Sequence, residues 1–539
     1  MTLDYPDVTR EGDADRWESR VHASLPKGRM LDTSEESVDG RSVLPTAYHP
    51  SRLLATDGER LPAIFELLQR AARGLGWRVE VRTVDDEPAD PSVGRAPERE
   101  DAEGNRLPAI LLVTIHPDDE REDIDDTQPQ AVDAWRLLTA ARRLARRSAE
   151  ELPLTGIGLD HVLTIAPYPG PIGSSSPDMP TRLSGMANLP GPDSYKHVGA
   201  GGRQVVDFVG PRPMRHEPSA PDGRRPVIAY FDTGCGRHPW LDQVVTTYPA
   251  GPNGRTIGFA SPTTDPELSG NLLGKYDGFL DPFAGHGTFV AGILRQTCPD
   301  ADILSIRITD GSGTLFESVF LGALRALIDW VMSGDGADTA LDVLSLSLGF
   351  CHETPTGSNF DAALGEMLST LRRLGCAVVC SAGNDSFNRP VFPAALWEWP
   401  GSDFSVGTGA DSAPHLSVGA LNPARDSVAL FSNFGPWVSL YAPGVSVVST
   451  SPGHQGGVQA GSVDSFGSLV RRSLDPDDFR GGFAIGSGTS FAAPFIAGRL
   501  AEALSHTLMH TGSQDTASRI ATLRLAAGEL MREFAAPTE

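Results

Sequence analysis

The sequence predicts an α/β fold: a largely parallel sheet with helices on both faces over residues 226–510, preceded by a small α+β unit over 51–166. Three observations predict it. From Pro226 onward, short apolar runs alternate with helical stretches, as expected for strands buried on both faces. Gly486 and Gly488 form a tight turn that feeds a helix apolar on nearly every face, through Phe491, Ala492, Ala493, Phe495, Ile496, Ala497 and Leu500, so that helix is expected at the centre of the core. Upstream, the residue patterns run strand, helix, strand, strand, helix, strand.

Residues 1–50 mix charge, Pro and Gly without periodicity and are expected to be irregular. Arg52 to Ala55 reads as a short strand, and Leu61 to Leu75 carries Ile64, Leu67, Leu68, Ala71 and Leu75 at helical spacing. Trp77, Val79 and Val81 alternate with Arg78, Glu80 and Arg82, a half-buried strand. Ile110 to Ile115 is a second apolar run, residues 131–146 repeat the helix pattern, and Leu159 to Ala166 closes the unit as a strand. That order is ferredoxin-like. Residues 167–225 are rich in Pro, Gly and Ser and read as a linker, with a packed strand through Val205, Val206, Phe208 and Val209.

In the large unit, strands are expected at Val227–Phe231, Ile303–Ile308, Val343–Leu348, Ala377–Ser381, Leu416–Val418 and Val438–Tyr441. Helices are expected at 287–296, 317–333, 359–374 and 491–507, with Pro494 in the first turn of the last, where amides have no intrahelical acceptor. Residues 511–539 form a C-terminal extension holding one more amphipathic helix, Ala517 to Phe534.

The chain of 539 residues carries a net charge of −24, which argues against a nucleic-acid or anionic-membrane partner, since both need a basic surface. No apolar stretch is long enough to span a membrane. Met1 to Asp7 lacks the basic and apolar regions of a secretory signal. The five cysteines are odd in number and lack metal-ligand spacing, so packing thiols in a reducing, cytoplasmic setting are expected.

Four segments carry chemistry. Val227 to Gly234 places Asp232 at the carboxyl end of a buried strand, where sites of α/β sheets lie. Asp232-Thr233-Gly234 also fits an aspartic protease, but that reaction needs a second such carboxylate and no other Asp-Thr-Gly or Asp-Ser-Gly occurs. His286 stands between two glycines at a helix start. Asn384 follows a strand and a glycine, and serves either as a turn former or as a neutral donor aimed at developing negative charge. Ser490 begins the buried helix, either as an ordinary N-cap or as a nucleophile beside free N–H groups.

An acid, an imidazole and a helix-start serine in this order are the parts of a serine-hydrolase triad. Together with Gly311-Ser312-Gly313, Ser345 to Gly349, Ser432 to Gly435 and Tyr441 to Gly444, the four segments resemble the subtilisin-like (S8) serine peptidases over roughly residues 224–505. The resemblance implies a subtilisin-like sheet and hydrolysis of polypeptide substrates through an acyl-enzyme. Ser490 would be the nucleophile, His286 the general base and Asp232 its orienting acid, with Asn384 in the oxyanion site. Gly311, Ser312 and Gly313, with Ser347, Leu348 and Gly349, would bind substrate as an added strand, and Asp385 would stand at the rim of the S1 pocket.

A calcium loop common in the family looks absent after the His286 helix, so no metal and no cofactor are expected. Phe289 stands where many relatives have histidine. Residues 453–483 form a long connection suited to lining the primed side of the cleft or acting as a lid. The ferredoxin-like unit resembles the family's prodomain in element order, and is expected to be retained as a regulatory or partner-docking domain. The rival reading is a catalytically silent subtilisin fold that binds peptides.

Overall fold

The computed structural model describes residues 28–31, 43–55, 61–84, 89–90, 99–100, 106–118, 131–147, 156–165, 195 and 202–537, the last stretch with gaps at 253, 274–276, 335–339, 355–361, 401, 403–408 and 513. Most of the expected irregular segment 1–50, and residues 167–194 and 196–201 of the expected linker, lie outside the described residues.

The small unit contains β1 (Ala47–Ala55), α1 (Leu61–Leu75), β2 (Trp77–Thr83), β3 (Leu111–Pro117), α2 (Ala134–Arg147) and β4 (Ile157–Ile165). Its strands lie in the order β4-β1-β3-β2 with every neighbour antiparallel. β1 is longer than the expected Arg52–Ala55 because Pro50, which cannot donate to a ladder, falls where the pairing with β4 shifts register between Tyr48 and Leu53.

Successive side chains of a strand point to opposite faces, and here the two faces feed different cores. Leu53, Leu111, Val113 and Ile115 pack with α1 and α2. Leu54, Leu112 and Leu163 join the core of the large unit instead. The small sheet is thus covered on both faces, by its own helices and by the neighbouring unit.

The large unit begins with β5 (Val227–Asp232), β6 (Val245–Thr247), α3 (His286–Thr297) and β7 (Asp302–Arg307). It continues through β8 (Thr314–Phe316), α4 (Glu317–Ser333), β9 (Val343–Leu346), β10 (Leu348–Gly349), α5 (Ala362–Arg373), β11 (Ala377–Ser381), β12 (His415–Leu421) and β13 (Leu440–Pro443). Its sheet is wholly parallel in the order β6-β7-β5-β9-β11-β12-β13. The expected single strand Val343–Leu348 is two: the chain leaves the central sheet at Ser347, and Leu348–Gly349 pairs with β4 of the small unit.

After β14 (Val447–Thr450), an exposed hairpin of β15 (Val463–Phe466) and β16 (Leu469–Arg472) occupies the long connection, and β17 (Phe483–Gly486) leads into α6 (Thr489–His510). Gln204–Val205, shorter than the strand expected there, pairs with β17. Helix α6 starts at Thr489, so Pro494 is the sixth helical residue and not, as the sequence suggested, in the first turn. The amide it lacks would have served the Ser490 carbonyl, and the Ser347 hydroxyl donates there instead at 3.1 Å.

The last helix, α7 (Thr516–Glu533), lies back on α6 through Ile520, Leu523, Ala527 and Leu530. Arg519 reaches the buried Asp342 at 3.1 Å, and the Tyr441 amide donates to the Phe534 carbonyl at 2.9 Å. These contacts make α7 part of the large unit.

Candidate active site

Asp232 ends β5 and is fully buried; His286 opens α3 and is 1% exposed. The His286 Nδ1 lies 2.8 Å from Asp232 Oδ1 and 2.9 Å from Oδ2, the contact that fixes an imidazole tautomer with its proton on Nδ1. Thr233 donates to the same carboxylate through its amide at 2.8 Å and its hydroxyl at 3.1 Å. The helix can approach this closely only because residue 287 is glycine: a Cβ there would sit 2.0 Å from the Gly234 carbonyl oxygen.

Ser490 is the second residue of α6 and is 1% exposed. The ring of its neighbour Phe491 packs 5.5 Å from the His286 ring, which brings the start of α6 against the imidazole. Phe289, on the same face of α3, packs its ring 4.3 Å from that of Phe491 at a tilt of 39°, filling the seam between the two helices.

Asn384 follows β11 and turns its amide oxygen to Thr489, accepting from the Thr489 amide at 2.8 Å and its hydroxyl at 2.9 Å. That contact directs Nδ2 towards the turn before Ser490, where a Cβ built on Gly488 would lie 3.4 Å from it. Thr489 therefore sets the direction of the Asn384 donor, a role the motif reading did not assign.

The expected substrate strands are brought together, and the chain itself lies on them. The Ile165 amide donates to the Gly313 carbonyl at 2.8 Å, Thr164 pairs with Thr314, and Thr164 and Ile165 pair with Gly349 and Leu348. The end of β4 thus runs between the Gly311–Gly313 and Ser347–Gly349 segments. Ser312 is 4% exposed and donates its amide to Asp310 at 2.9 Å. Asp385 lines a cavity with Leu348, Gly349, Ser381 and Gly383, and its carboxylate accepts from Asn433 Nδ2 at 3.3 Å.

Where the two units meet, charged groups are buried. Asp160 of β4 accepts from the Ser318 amide and hydroxyl at the start of α4, both at 2.9 Å, and pairs with Arg52 at 3.1 Å. His161 sets Nδ1 2.7 Å from Glu317 and Nε2 2.9 Å from Glu353. Burial alone would push the His161 pKa down, but hydrogen bonds to the two glutamates and their charge raise it to about 10.

His161, His352 and Glu353 are the described residues that have metal-ligand spacing. The carboxylates of Asp160, Glu317 and Glu353 are matched in charge by Arg52, the His161 imidazolium and the half-buried Arg142, whose charge acts on Glu353. The buried thiols Cys235, Cys298, Cys376 and Cys380 have pKa values raised by burial, as packing groups do.

The site also contains a residue without a sequence motif. Glu267, 2% exposed, accepts from the Thr233 and Thr288 hydroxyls and from the Gly285 amide at 3.0 Å and the Gly287 amide at 3.2 Å. It lies in an aperiodic loop, so periodicity could not mark it.

The model of the subtilase family, Peptidase S8, matches residues 223–527. A thermophilic serine proteinase of Bacillus sp. (strain AK1) is 28% identical over 252 residues, 44% of this chain and 47% of that protein. An intracellular serine protease of Paenibacillus polymyxa is 28% identical over 293 residues, 52% of this chain and 66% of that protein. Among solved structures, fervidolysin from Fervidobacterium pennivorans, a keratinolytic enzyme related to subtilisin, aligns with a TM-score of 0.41 at 17% identity, covering 89% of this chain and 58% of that one. The chain spans about half the length of several of the curated relatives it matches. With more than half of its residues inside the family match, the protein belongs to the subtilase family, Peptidase S8.

Proposed function

We propose that the protein is a serine endopeptidase that works through an Asp232–His286–Ser490 triad and is held closed by its own N-terminal unit. The observation that carries this reading is the Asp232–His286 contact at 2.8 Å beside the start of α6, where Ser490 sits.

Ser490 Oγ attacks the scissile carbonyl while His286 Nε2 takes its proton. His286 then gives that proton to the leaving amine, and a water, deprotonated by the same imidazole, releases the acyl group. Asp232 keeps the tautomer and stabilises the imidazolium. The oxyanion is met by Asn384 Nδ2 and the Ser490 amide at the positive end of α6. Substrate adds as a strand on Gly311–Gly313 and Ser347–Gly349, with Asp385 favouring a basic P1 side chain in the cavity it lines.

Residues 51–166 act as a ferredoxin-like inhibitory domain whose last strand takes the place of substrate. The pairing of Thr164 and Ile165 with the two substrate strands supports this directly. Activity then requires undocking or a cut in 167–225, which restricts the substrates reached. Five unpaired cysteines fit a reducing, cytoplasmic compartment.

Mass spectrometry of the purified full chain beside Ser490→Ala tests the proposal. A serine-dependent break between 167 and 225, or Ser490-dependent hydrolysis of an added peptide once β4 is displaced, supports it. Neither activity in a folded protein with β4 displaced overturns it in favour of a silent peptide-binding fold.

A further inference from the structure

We propose that Glu267 is a positioning residue of this peptidase, a second buried carboxylate that clamps the first turn of the His286 helix and ties it to Asp232 through Thr233. The inference rests on the triad reading above and deepens it.

Helix α3 begins without a side-chain cap: its N-cap residue is Gly285, at φ 83°, and no side chain of its own serves the first amides. These first-turn amides are buried, where a donor left without an acceptor is costly. Glu267 supplies what the cap residue lacks. Its Oε1 accepts from the Gly285 and Gly287 amides, and its Oε2 from the Thr288 hydroxyl and, at 3.4 Å, the Thr288 amide. These donors flank His286, whose own amide goes to the Phe283 carbonyl at 3.0 Å. The backbone that carries the imidazole is therefore held from both sides.

Thr233 connects this clamp to the acid of the triad. Its hydroxyl accepts from the Gly287 amide at 2.9 Å and has one proton for two carboxylates, Asp232 Oδ1 at 3.1 Å and the nearer Glu267 Oε1. Removing the Glu267 carboxylate hands that proton to Asp232 and changes the field at the imidazole.

The loop that presents Glu267 is itself fixed. Its amide donates to Asp265 Oδ1 at 2.8 Å, Asp265 is gripped by the Tyr248 hydroxyl, and His454 Nε2 lies 3.1 Å from the Glu267 carbonyl. Arg307, at the end of β7, holds the same loop through the Ser261 carbonyl at 2.9 Å and the Thr264 carbonyl at 2.5 Å. A side chain delivered by so many contacts is placed, not stray.

The titratable and charged groups around Glu267 are Asp232, Asp265, Tyr230, Cys235, His286, His454 and Arg307, with Arg203 beside Gly285. Burial raises the Glu267 pKa to about 7 against the pull of the Thr233 and Thr288 hydroxyls, with Asp265 and Asp232 adding to the rise. In its charged form the group completes the clamp and adds negative charge beside the Asp232–His286 pair, favouring the imidazolium that forms during catalysis.

The test titrates the His286 ring by NMR in the full chain carrying Ser490→Ala, with and without Glu267→Gln, and measures the pH profile of kcat/KM on the Ser490 background. With Glu267→Gln, the His286 midpoint falls by about one unit, and kcat falls about tenfold with KM within twofold. Thr288→Val, which deletes one donor to Glu267, lowers kcat in the same direction, and Thr288→Ser restores it; this pair decides the matter if Glu267→Gln does not fold. An unchanged His286 midpoint together with unchanged kcat in folded variants overturns the proposal. A shifted His286 midpoint in a protein whose Ser490 never reacts keeps Glu267 as the positioning residue and overturns the peptidase reading alone.

Discussion

The Ser347 hydroxyl donates to the Ser490 carbonyl at 3.1 Å, taking the place of the amide that Pro494 cannot offer. One buried side chain, 2% exposed, thus links the substrate strand segment to the backbone of the proposed nucleophile. Ser347→Ala leaves that carbonyl without this donor and is expected to cost ~1 kcal/mol of stability. Urea denaturation of the variant measures it; a midpoint equal to wild type shows that the contact contributes nothing.

Docking of the N-terminal unit is expected to weaken as pH rises. Undocked, His161 has an ordinary pKa of ~6.5, and docked it is raised to about 10, so docking takes up a proton between those values. Its contribution is complete below about 6.5 and is lost as pH climbs towards about 10. Asp160 works in the same direction: burial raises its pKa to about 6 against the pull of Arg52 and the Ser318 hydrogen bonds, so its charged form disfavours docking above that pH. Arg142, Glu317, Glu353 and His352 complete the surroundings. Hydrogen exchange of β4, corrected for intrinsic rates, should quicken between pH 7 and 10, and His161→Gln should flatten that dependence.

The C-terminal helix should be indispensable to the peptidase fold. Asp342, fully buried, accepts from Arg224 at 2.6 and 2.8 Å, from Arg519 at 3.1 Å and from the Val227 amide at 2.9 Å, at the start of the strand that ends in Asp232. Asp342→Ala leaves the buried Arg519 and the half-buried Arg224 without this anion and is expected to cost ~3–5 kcal/mol. Thermal unfolding followed by circular dichroism tests this, and a transition unchanged from wild type contradicts it.

Asn384→Ala is expected to lower kcat by ~10²–10³, the size of the equivalent loss in subtilisin. KM should change little, because the donor meets charge that exists only in the transition state. Steady-state kinetics on a peptide substrate separates the two constants; a raised KM with unchanged kcat would assign Asn384 to binding.

Much of this arrangement was legible in the sequence, and the exceptions share a physical cause. Asp232 ends a strand, His286 opens a helix, Ser490 is the second residue of one and Asn384 follows a strand and a glycine, so a local pattern marked each of them. Helices Leu61–Leu75 and Glu317–Ser333 followed from periodicity to the residue. Glu267 lay hidden because its partners, Thr233 and Thr288, are 34 and 21 positions away and its own loop has no period. The His161 contacts to Glu317 and Glu353 span 156 and 192 positions, a distance over which charge patterning says nothing. Pro494 misled for another reason: the hydroxyl that serves the Ser490 carbonyl in place of its missing amide comes from Ser347, far off in sequence.

The most direct measurement of the central claim is covalent labelling of the full chain with a fluorophosphonate, followed by peptide mapping at pH 7 and pH 10, beside Ser490→Ala. The account predicts a single adduct on Ser490, faster at pH 10 as β4 undocks, and none in Ser490→Ala. Absence of a Ser490 adduct at both pH values, in a chain whose β4 amides exchange freely, would contradict it.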